Sequence, residues 1–193
     1  PRLEVEPAPW SHTYRDWFGN EVTAFEVLDP HESMRVTAVS TVHTDRSKLE
    51  GPHLGWSDVR APEVADRLTE YLGLPELVTA SADLVEVARV MAGDFETPGE
   101  AALALCQFVN REMEYVPGST DHTTAAVAAW QQRSGVCQDM AHVTLGALRS
   151  IGIPARYVSG YLHPRAQAIV GETVAGESHA WIEWWDGSWR GYD

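Results

Sequence analysis

The stretch that decides the fold is residues 134–154, SGVCQDMAHVTLGALRSIGIP. Its apolar positions, 140, 141, 144, 145, 148 and 151, recur at the three- and four-residue spacing of a helix face. Gly152, followed two residues later by Pro154, is typical of a helix end. Because Ser134-Gly135 interrupts the segment before it, the pattern predicts a helix that begins near Cys137.

A thiol at the start of a helix has a chemical advantage. The exposed backbone N–H groups of the first turn and the helix dipole stabilise the thiolate, which is the nucleophilic form of cysteine. Cys137 could equally be a small residue packed behind Gly135. A second sequence element is therefore needed to decide whether the thiol is reactive.

That second element is residues 178–185, SHAWIEWW, which read as a strand with His179, Trp181 and Glu183 on one face. Asp186-Gly187 forms a turn, and 188–193 returns as the partner strand. A two-residue turn would place Asp193 opposite residue 180, with its carboxylate pointing away from His179. A three-residue loop, 185–187, with Gly187 in the left-handed region pairs 184 with 188 and places Asp193 directly opposite His179. We predict the three-residue loop or an equivalent bulge, and a plain two-residue turn would contradict this pairing.

With that register, the three side chains form a nucleophilic set. The carboxylate of Asp193 fixes the tautomer of His179, and the imidazole takes the proton of the Cys137 thiol. Such a set activates sulfur to attack a carbonyl carbon and form a thioester, which water or an amine then resolves.

Four segments together resemble the core of the bacterial transglutaminase-like superfamily, a group of candidate cysteine proteases. They are 135–142 (GVCQDMAH), 148–161 (LRSIGIPARYVSGY), 179–181 (HAW) and 191–193 (GYD). The resemblance implies a triad of Cys137 as nucleophile, His179 as base and acid, and Asp193 as the orienting residue. The backbone N–H of Cys137 is one expected oxyanion donor, because a nucleophile at a helix start points its own amide into the site. Tyr115, which lies roughly where animal transglutaminases place a tryptophan, and the side chain of Gln131 are candidates for the second; the alternative is a packed tyrosine and a solvated glutamine.

The resemblance extends upstream of the core. Residues 3–7 and 15–22 (RDWFGNEV) look like the latter half of the β-rich region that often precedes this core in bacteria. Family members carry further strands before residue 1 and after the aspartate, so we expect both ends to be truncated.

The order of elements predicts an α+β fold similar to papain-like enzymes, with the nucleophile helix packed on an antiparallel sheet. We expect a β-rich region at 1–46, with strands at 22–28 and 34–43, a linker at 47–61, and a catalytic core at 62–193. Helices are predicted at 62–72, 83–91, 124–133 and from the capping box of Thr97 and Glu100 to about 113.

Composition limits the partners. The 193 residues carry 14 basic and 28 acidic side chains, a net charge of −14, which disfavours nucleic acid and anionic membranes. The two cysteines, Cys106 and Cys137, have no metal or disulfide spacing, which favours a reducing compartment, so we expect a cytoplasmic protein. The start at Pro1 leaves open a removed signal peptide. Cys106 is expected to be a core residue.

The expected activity is acyl transfer on amide bonds of a peptide or protein, with hydrolysis favoured over cross-linking and without a cofactor or metal. The alternatives are a protein-glutamine transglutaminase and a non-catalytic interaction module that keeps the fold. A metal site formed by Cys137, His179 and Asp193 is disfavoured, because no fourth ligand lies nearby in the sequence. His142 lies about 140° around the helix from Cys137, so we expect it to have a structural role. The sequence makes no prediction about oligomeric state.

Overall fold

The structure, a computed structural model, describes residues 2–43, 53–163 and 169–193. The chain forms two compact units, Pro1–Lys48 and Leu49–Asp193. The expected linker, 47–61, lies in part outside the described residues. Its described part, 53–61, is not an open connection: it contains helix α1 (Trp56–Val59), and Val59 is buried in the second unit. Within the described ranges, no helix has the length and apolar character needed to cross a membrane.

The first unit is built from four strands, β1 (Arg2–Glu6), β2 (Trp10–Arg15), β3 (Glu21–Glu26) and β4 (Arg35–Val39). They form two separate two-stranded antiparallel sheets, β1 with β4 and β2 with β3. The two strands that the sequence predicts here are present but shorter, and each pairs with an earlier strand. The turn between β2 and β3 is closed by the Asp16 side chain, which accepts a hydrogen bond from the backbone N–H of Asn20 at 2.8 Å.

The second unit contains the other helices. They are α2 (Pro62–Arg67), α3 (Ala82–Gly93), α4 (Pro98–Glu112), α5 (Ala126–Gln132) and α6 (Cys137–Ser150), with 3₁₀ turns at Thr69–Tyr71 and Glu76–Val78. The helix predicted over 62–72 is shorter and continues as a 3₁₀ turn. The capping box at α4 is confirmed, because Glu100 N–H donates to Thr97 Oγ1 and Thr97 N–H donates to the Glu100 carboxylate.

The sheet of the second unit has three antiparallel strands, β7 (Ala155–Leu162), β8 (Glu177–Trp185) and β9 (Trp189–Tyr192), with β8 in the middle. A short parallel pair is formed by β5 (Glu114–Tyr115), which follows α4, and β6 (Ser134–Gly135), which directly precedes α6. The α+β architecture with a papain-like core is therefore confirmed.

Helix α6 lies at the centre of the second unit. Its buried residues pack among α3, α4 and α5 and against the inner face of β8, which carries Ala180, Ile182 and Trp184. Packing is close enough to require Gly146, because a Cβ there would lie 2.3 Å from the backbone oxygen of Val78. Helix α6 and the sheet are thus packed in one core.

Candidate active site

Cys137 is the first residue of α6, as the sequence predicts. The segment before it turns sharply into the helix at Gly135, where a Cβ would lie 2.6 Å from the Cβ of Asp139. The carboxylate of Asp139 accepts hydrogen bonds from Val136 N–H at 2.8 Å and from the Thr120 hydroxyl at 2.6 Å. These contacts fix the backbone from which the Cys137 thiol projects.

Asp139 thus caps the helix through the Val136 N–H. It is also 1% exposed, which the sequence did not reveal. Its partner Thr120 lies 19 positions earlier in the chain, so no local pattern could have found it.

His179, on the middle strand β8, is in contact with Asp193, which directly follows β9. The Nε2 atom of His179 lies 2.7 Å from Asp193 Oδ1 and 2.8 Å from Oδ2. The imidazole is 14% exposed and the carboxylate 59%. Because Asp193 accepts the proton on Nε2, Nδ1 is the nitrogen left to exchange a proton with a thiol.

The register that produces this contact differs from the predicted one. Trp184 pairs with Arg190, not with residue 188, and the three-residue loop is 186–188 rather than 185–187. If the pairing of β8 with β9 is continued by one residue, Asp193 lies opposite Trp181. Its carboxylate therefore reaches His179, two residues away on β8, diagonally across the strands. Gly187, at φ +99°, is in the left-handed region as predicted.

Burial of Asp186 explains the shift of the loop. Its carboxylate accepts hydrogen bonds from Arg190 Nε at 2.5 Å and from His53 Nδ1 at 3.0 Å. It also lies against Gly99 in the first turn of α4, where a Cβ would lie 2.5 Å from the carboxylate. Because Asp186 must point inward from the loop, Trp185 is drawn into the strand pair.

A cavity of about 390 Å³ joins the three residues. Cys137, His179 and Asp193 all line it, and Cys137 is partly exposed. Trp181 also lines the cavity, with its ring stacked near that of His179 at a centroid distance of 6.1 Å. The structure thus gathers the three residues singled out from the sequence around one open space.

The comparisons with known proteins concern the family and the fold. A family model described as "Transglutaminase-like superfamily" matches residues 85–193, and one described as "Bacterial transglutaminase-like N-terminal region" matches residues 1–43. The chain belongs to the transglutaminase-like superfamily. The resemblance stated from the sequence is therefore confirmed.

Relatives of this superfamily member occur in mycobacteria. It is 40% identical to the Mycobacterium leprae protein ML0607 over 192 residues, which are all of this chain and 68% of that protein. It is 30% identical to the Mycobacterium bovis protein Mb2599c over 211 residues, covering 95% of this chain but 61% of that protein.

Two solved structures share the fold. One, named "Putative Cysteine Protease from Cytophaga hutchinsonii", aligns with a TM-score of 0.67 at 21% identity and covers 100% of this chain and 63% of its own. The other, the periplasmic domain of TgpA from Pseudomonas aeruginosa, aligns with a TM-score of 0.51 at 24% identity and covers 66% of this chain and 46% of its own. At this identity the likeness concerns the fold alone.

The two candidates for the second oxyanion donor lie in different parts of the structure. Tyr115 lines the cavity with Cys137, whereas Gln131 is exposed on α5 and is not part of the lining. Asn110, which the sequence analysis did not single out, also lines the cavity. Asn110 lies four residues after Cys106 on the same face of α4, and this spacing was the available signal.

Burial shifts the pKa values of three other side chains near the site. His142 is absent from the cavity lining and packs against the Tyr157 ring at 5.4 Å, and burial lowers its pKa. Burial, followed by the nearby Cys137 and Asp139, raises the pKa of Tyr157. Burial raises the pKa of Cys106 to about 12, so this thiol stays protonated. Among the residues that the structure describes, no group of three or more His, Cys, Asp or Glu side chains is arranged to hold a metal ion.

Proposed function

We propose that this protein is a thiol-dependent acyl-transfer enzyme that cleaves amide bonds of peptides or proteins. Cys137 is the nucleophile, His179 carries the proton, and Asp193 orients His179. The observation that carries the proposal is the double contact of Asp193 with Nε2 of His179, on the wall of the cavity that Cys137 also lines. Members of the superfamily that lack catalysis would not need this arrangement.

The reaction follows from the placement of these groups. His179 takes the thiol proton at Nδ1, and Sγ attacks the carbonyl carbon to form a C–S bond. As the C–N bond breaks, the proton on His179 passes to the leaving amine, and a thioester remains. A water molecule then gives a proton to His179 and attacks the thioester. Release of the carboxylic acid returns that proton to Sγ.

The oxyanion formed in each step needs hydrogen-bond donors. The backbone N–H of Cys137, in the first turn of α6, is one proposed donor. Tyr115 is the second, because it lines the same cavity.

We favour water over an amine as the acyl acceptor. A protein-glutamine transglutaminase would use the same residues, so the products decide between the two. The protein is incubated with a casein digest and an excess of a primary alkyl amine, and the products are identified by mass spectrometry. New peptide termini support hydrolysis, whereas amine adducts on glutamine support cross-linking.

The catalytic role itself is tested by alkylation with iodoacetamide at about pH 6, below the range in which ordinary thiols ionise. We expect native Cys137 to react at least tenfold faster than in the denatured chain, which is roughly 1.4 kcal/mol. His179→Ala removes this advantage and Asp193→Asn reduces it. His122→Ala, at an exposed loop residue, is the matched control. Equal rates in the native and denatured wild type, unchanged by His179→Ala, would support the non-catalytic module instead.

A further inference from the structure

The cavity beside Cys137 extends well beyond the three residues of the proposed triad. One wall comes from α4 and the residue after it, with Cys106, Val109 and Met113. The facing wall comes from α6, with Met140, Ala141 and Thr144. The part of the cavity between these two walls is a slot that extends from Cys137, the first residue of α6, and Ala180, Ile182 and Tyr192 of the sheet also line the cavity.

The inner part of this slot is apolar. Cys106, Met113, Ala141 and Thr144 are each no more than 5% exposed. The Thr144 hydroxyl already donates to the Met140 backbone oxygen at 2.7 Å. The Cys106 thiol is kept neutral by burial. These side chains therefore offer neither a charge nor a strong hydrogen-bond donor to a ligand that enters the slot.

The polar members of the lining include Asn110, on the face of α4 that carries Cys106, and the half-buried Tyr192 of β9. Asn110, Tyr115 and Asp193 are exposed, and His179 contacts Asp193. A ligand group that entered past them would leave water for an apolar surface. Such transfer is favourable for hydrocarbon and costly for an amide that finds no partner.

We propose that this slot is the subsite for an aliphatic side chain of the acyl donor, of the size of leucine or methionine. The inference rests on the proposed function, because the attacked carbonyl must lie at Cys137 Sγ, and the side chain nearest that carbonyl then meets the mouth of the slot. The whole cavity, of which the slot is a part, has a volume of about 390 Å³, which is within the range for ligand sites and large enough to admit such a side chain. The subsite disfavours glutamine, because Cys106, Met113, Ala141 and Thr144 offer no strong hydrogen-bond donor to the carbonyl oxygen of its carboxamide.

Two chloroacetamides that differ only at one end test this selection. N-(3-methylbutyl)-2-chloroacetamide carries a branched hydrocarbon, and N-(2-carbamoylethyl)-2-chloroacetamide carries a carboxamide of similar shape. Both alkylate a thiolate with loss of chloride. Their rates with N-acetylcysteine correct for intrinsic reactivity, and peptide mapping counts only the adduct at Cys137.

We expect the native protein to prefer the hydrocarbon reagent at least tenfold, since burial of a leucine-sized group corresponds to roughly a ten- to hundredfold preference. In a series from methyl to 3-methylbutyl, the corrected rate should rise with each added carbon. Ala141→Leu, which fills the slot from α6, should reduce the preference to below threefold. Ala128→Leu, the same change on an exposed position of α5, should keep it.

No preference for the hydrocarbon reagent in the wild type would overturn the subsite, and the chain-length series gives this result without any variant. A preference that survives in folded Ala141→Leu would also overturn it. The two proposals fail separately. A hydrocarbon preference together with an ordinary iodoacetamide rate, insensitive to His179→Ala, would retain the subsite and reject the catalytic role. A fast, His179-dependent iodoacetamide reaction without the preference would do the reverse.

Discussion

Replacement of Asp139 by alanine removes the buried carboxylate that holds the start of the nucleophile helix. It accepts one hydrogen bond from Val136 N–H at 2.8 Å and one from Thr120 at 2.6 Å. Hydrogen bonds to charged groups contribute roughly 1.5–3 kcal/mol each, and their removal leaves two donors without this acceptor. Relief of the carboxylate's own desolvation offsets part of the loss. We expect the free energy of unfolding to fall by about 3–4 kcal/mol, out of a total of about 5–15 kcal/mol.

Urea denaturation followed by tryptophan fluorescence measures this change. Asp139→Asn retains an oxygen for both donors but loses the charge, so about half of the effect is expected. Thr120→Val removes one bond and should cost about 1–2 kcal/mol. Asp121→Ala is the matched control, because Asp121 also accepts a backbone N–H, that of Thr123 at 2.8 Å, but is exposed. If Asp139→Ala shifts the urea midpoint no more than Asp121→Ala does, buried capping at α6 is not a source of stability.

Three further changes test the packing around the site. Gly146→Ala should lower the free energy of unfolding, measured by urea denaturation, by about 1–3 kcal/mol, because its Cβ would lie 2.3 Å from the Val78 oxygen. The control, Gly93→Ala, has no atom within 4 Å of the new Cβ and should be neutral or slightly stabilising. Equal effects of the two changes would contradict this prediction. Gly160→Ala, whose Cβ would lie 2.6 Å from the Trp181 ring, should displace that ring from His179 and slow alkylation of native Cys137, with an unchanged rate as the contrary result. Burial lowers the pKa of His142, so the unfolded chain binds a proton first as the pH falls. Stability should therefore decrease below about pH 6.5, and a series of urea midpoints should show a smaller decrease in His142→Gln; an equal slope would show that another group is responsible.

The helices of the core were predictable because their signals are local. The capping box of Thr97 and Glu100 and the apolar spacing after Cys137 are complete within one segment of sequence, and both helices begin where these signals place them. The role of Asp139 was only partly predictable. Its capping bond to Val136 is local, whereas its burial depends on Thr120 from a distant loop.

The loop between β8 and β9 could not be placed from the sequence for a similar reason. Asp186-Gly187 reads as a turn in either register, and the choice depends on where the Asp186 carboxylate finds partners. One partner, Arg190, is close in sequence, but His53 is 133 positions away. The local sequence pattern carries no information about a partner that distant. The predicted pairing of β8 with β9 therefore differs from the observed pairing by two residues.

The contact of His179 with Asp193 was nevertheless predictable, because a strand has a period of two residues. A shift of one residue would turn Asp193 to the face that carries Ala180 and Ile182 and would separate it from the imidazole. A shift of two residues keeps it on the face of His179 and Trp181, only farther along the ladder. A carboxylate on a short side chain can bridge that diagonal, as the distances of 2.7 and 2.8 Å to Nε2 require. The face of the sheet on which a residue lies can thus be predicted more robustly than its exact pairing partner. The chemistry proposed at Cys137 depends on the face and not on the partner.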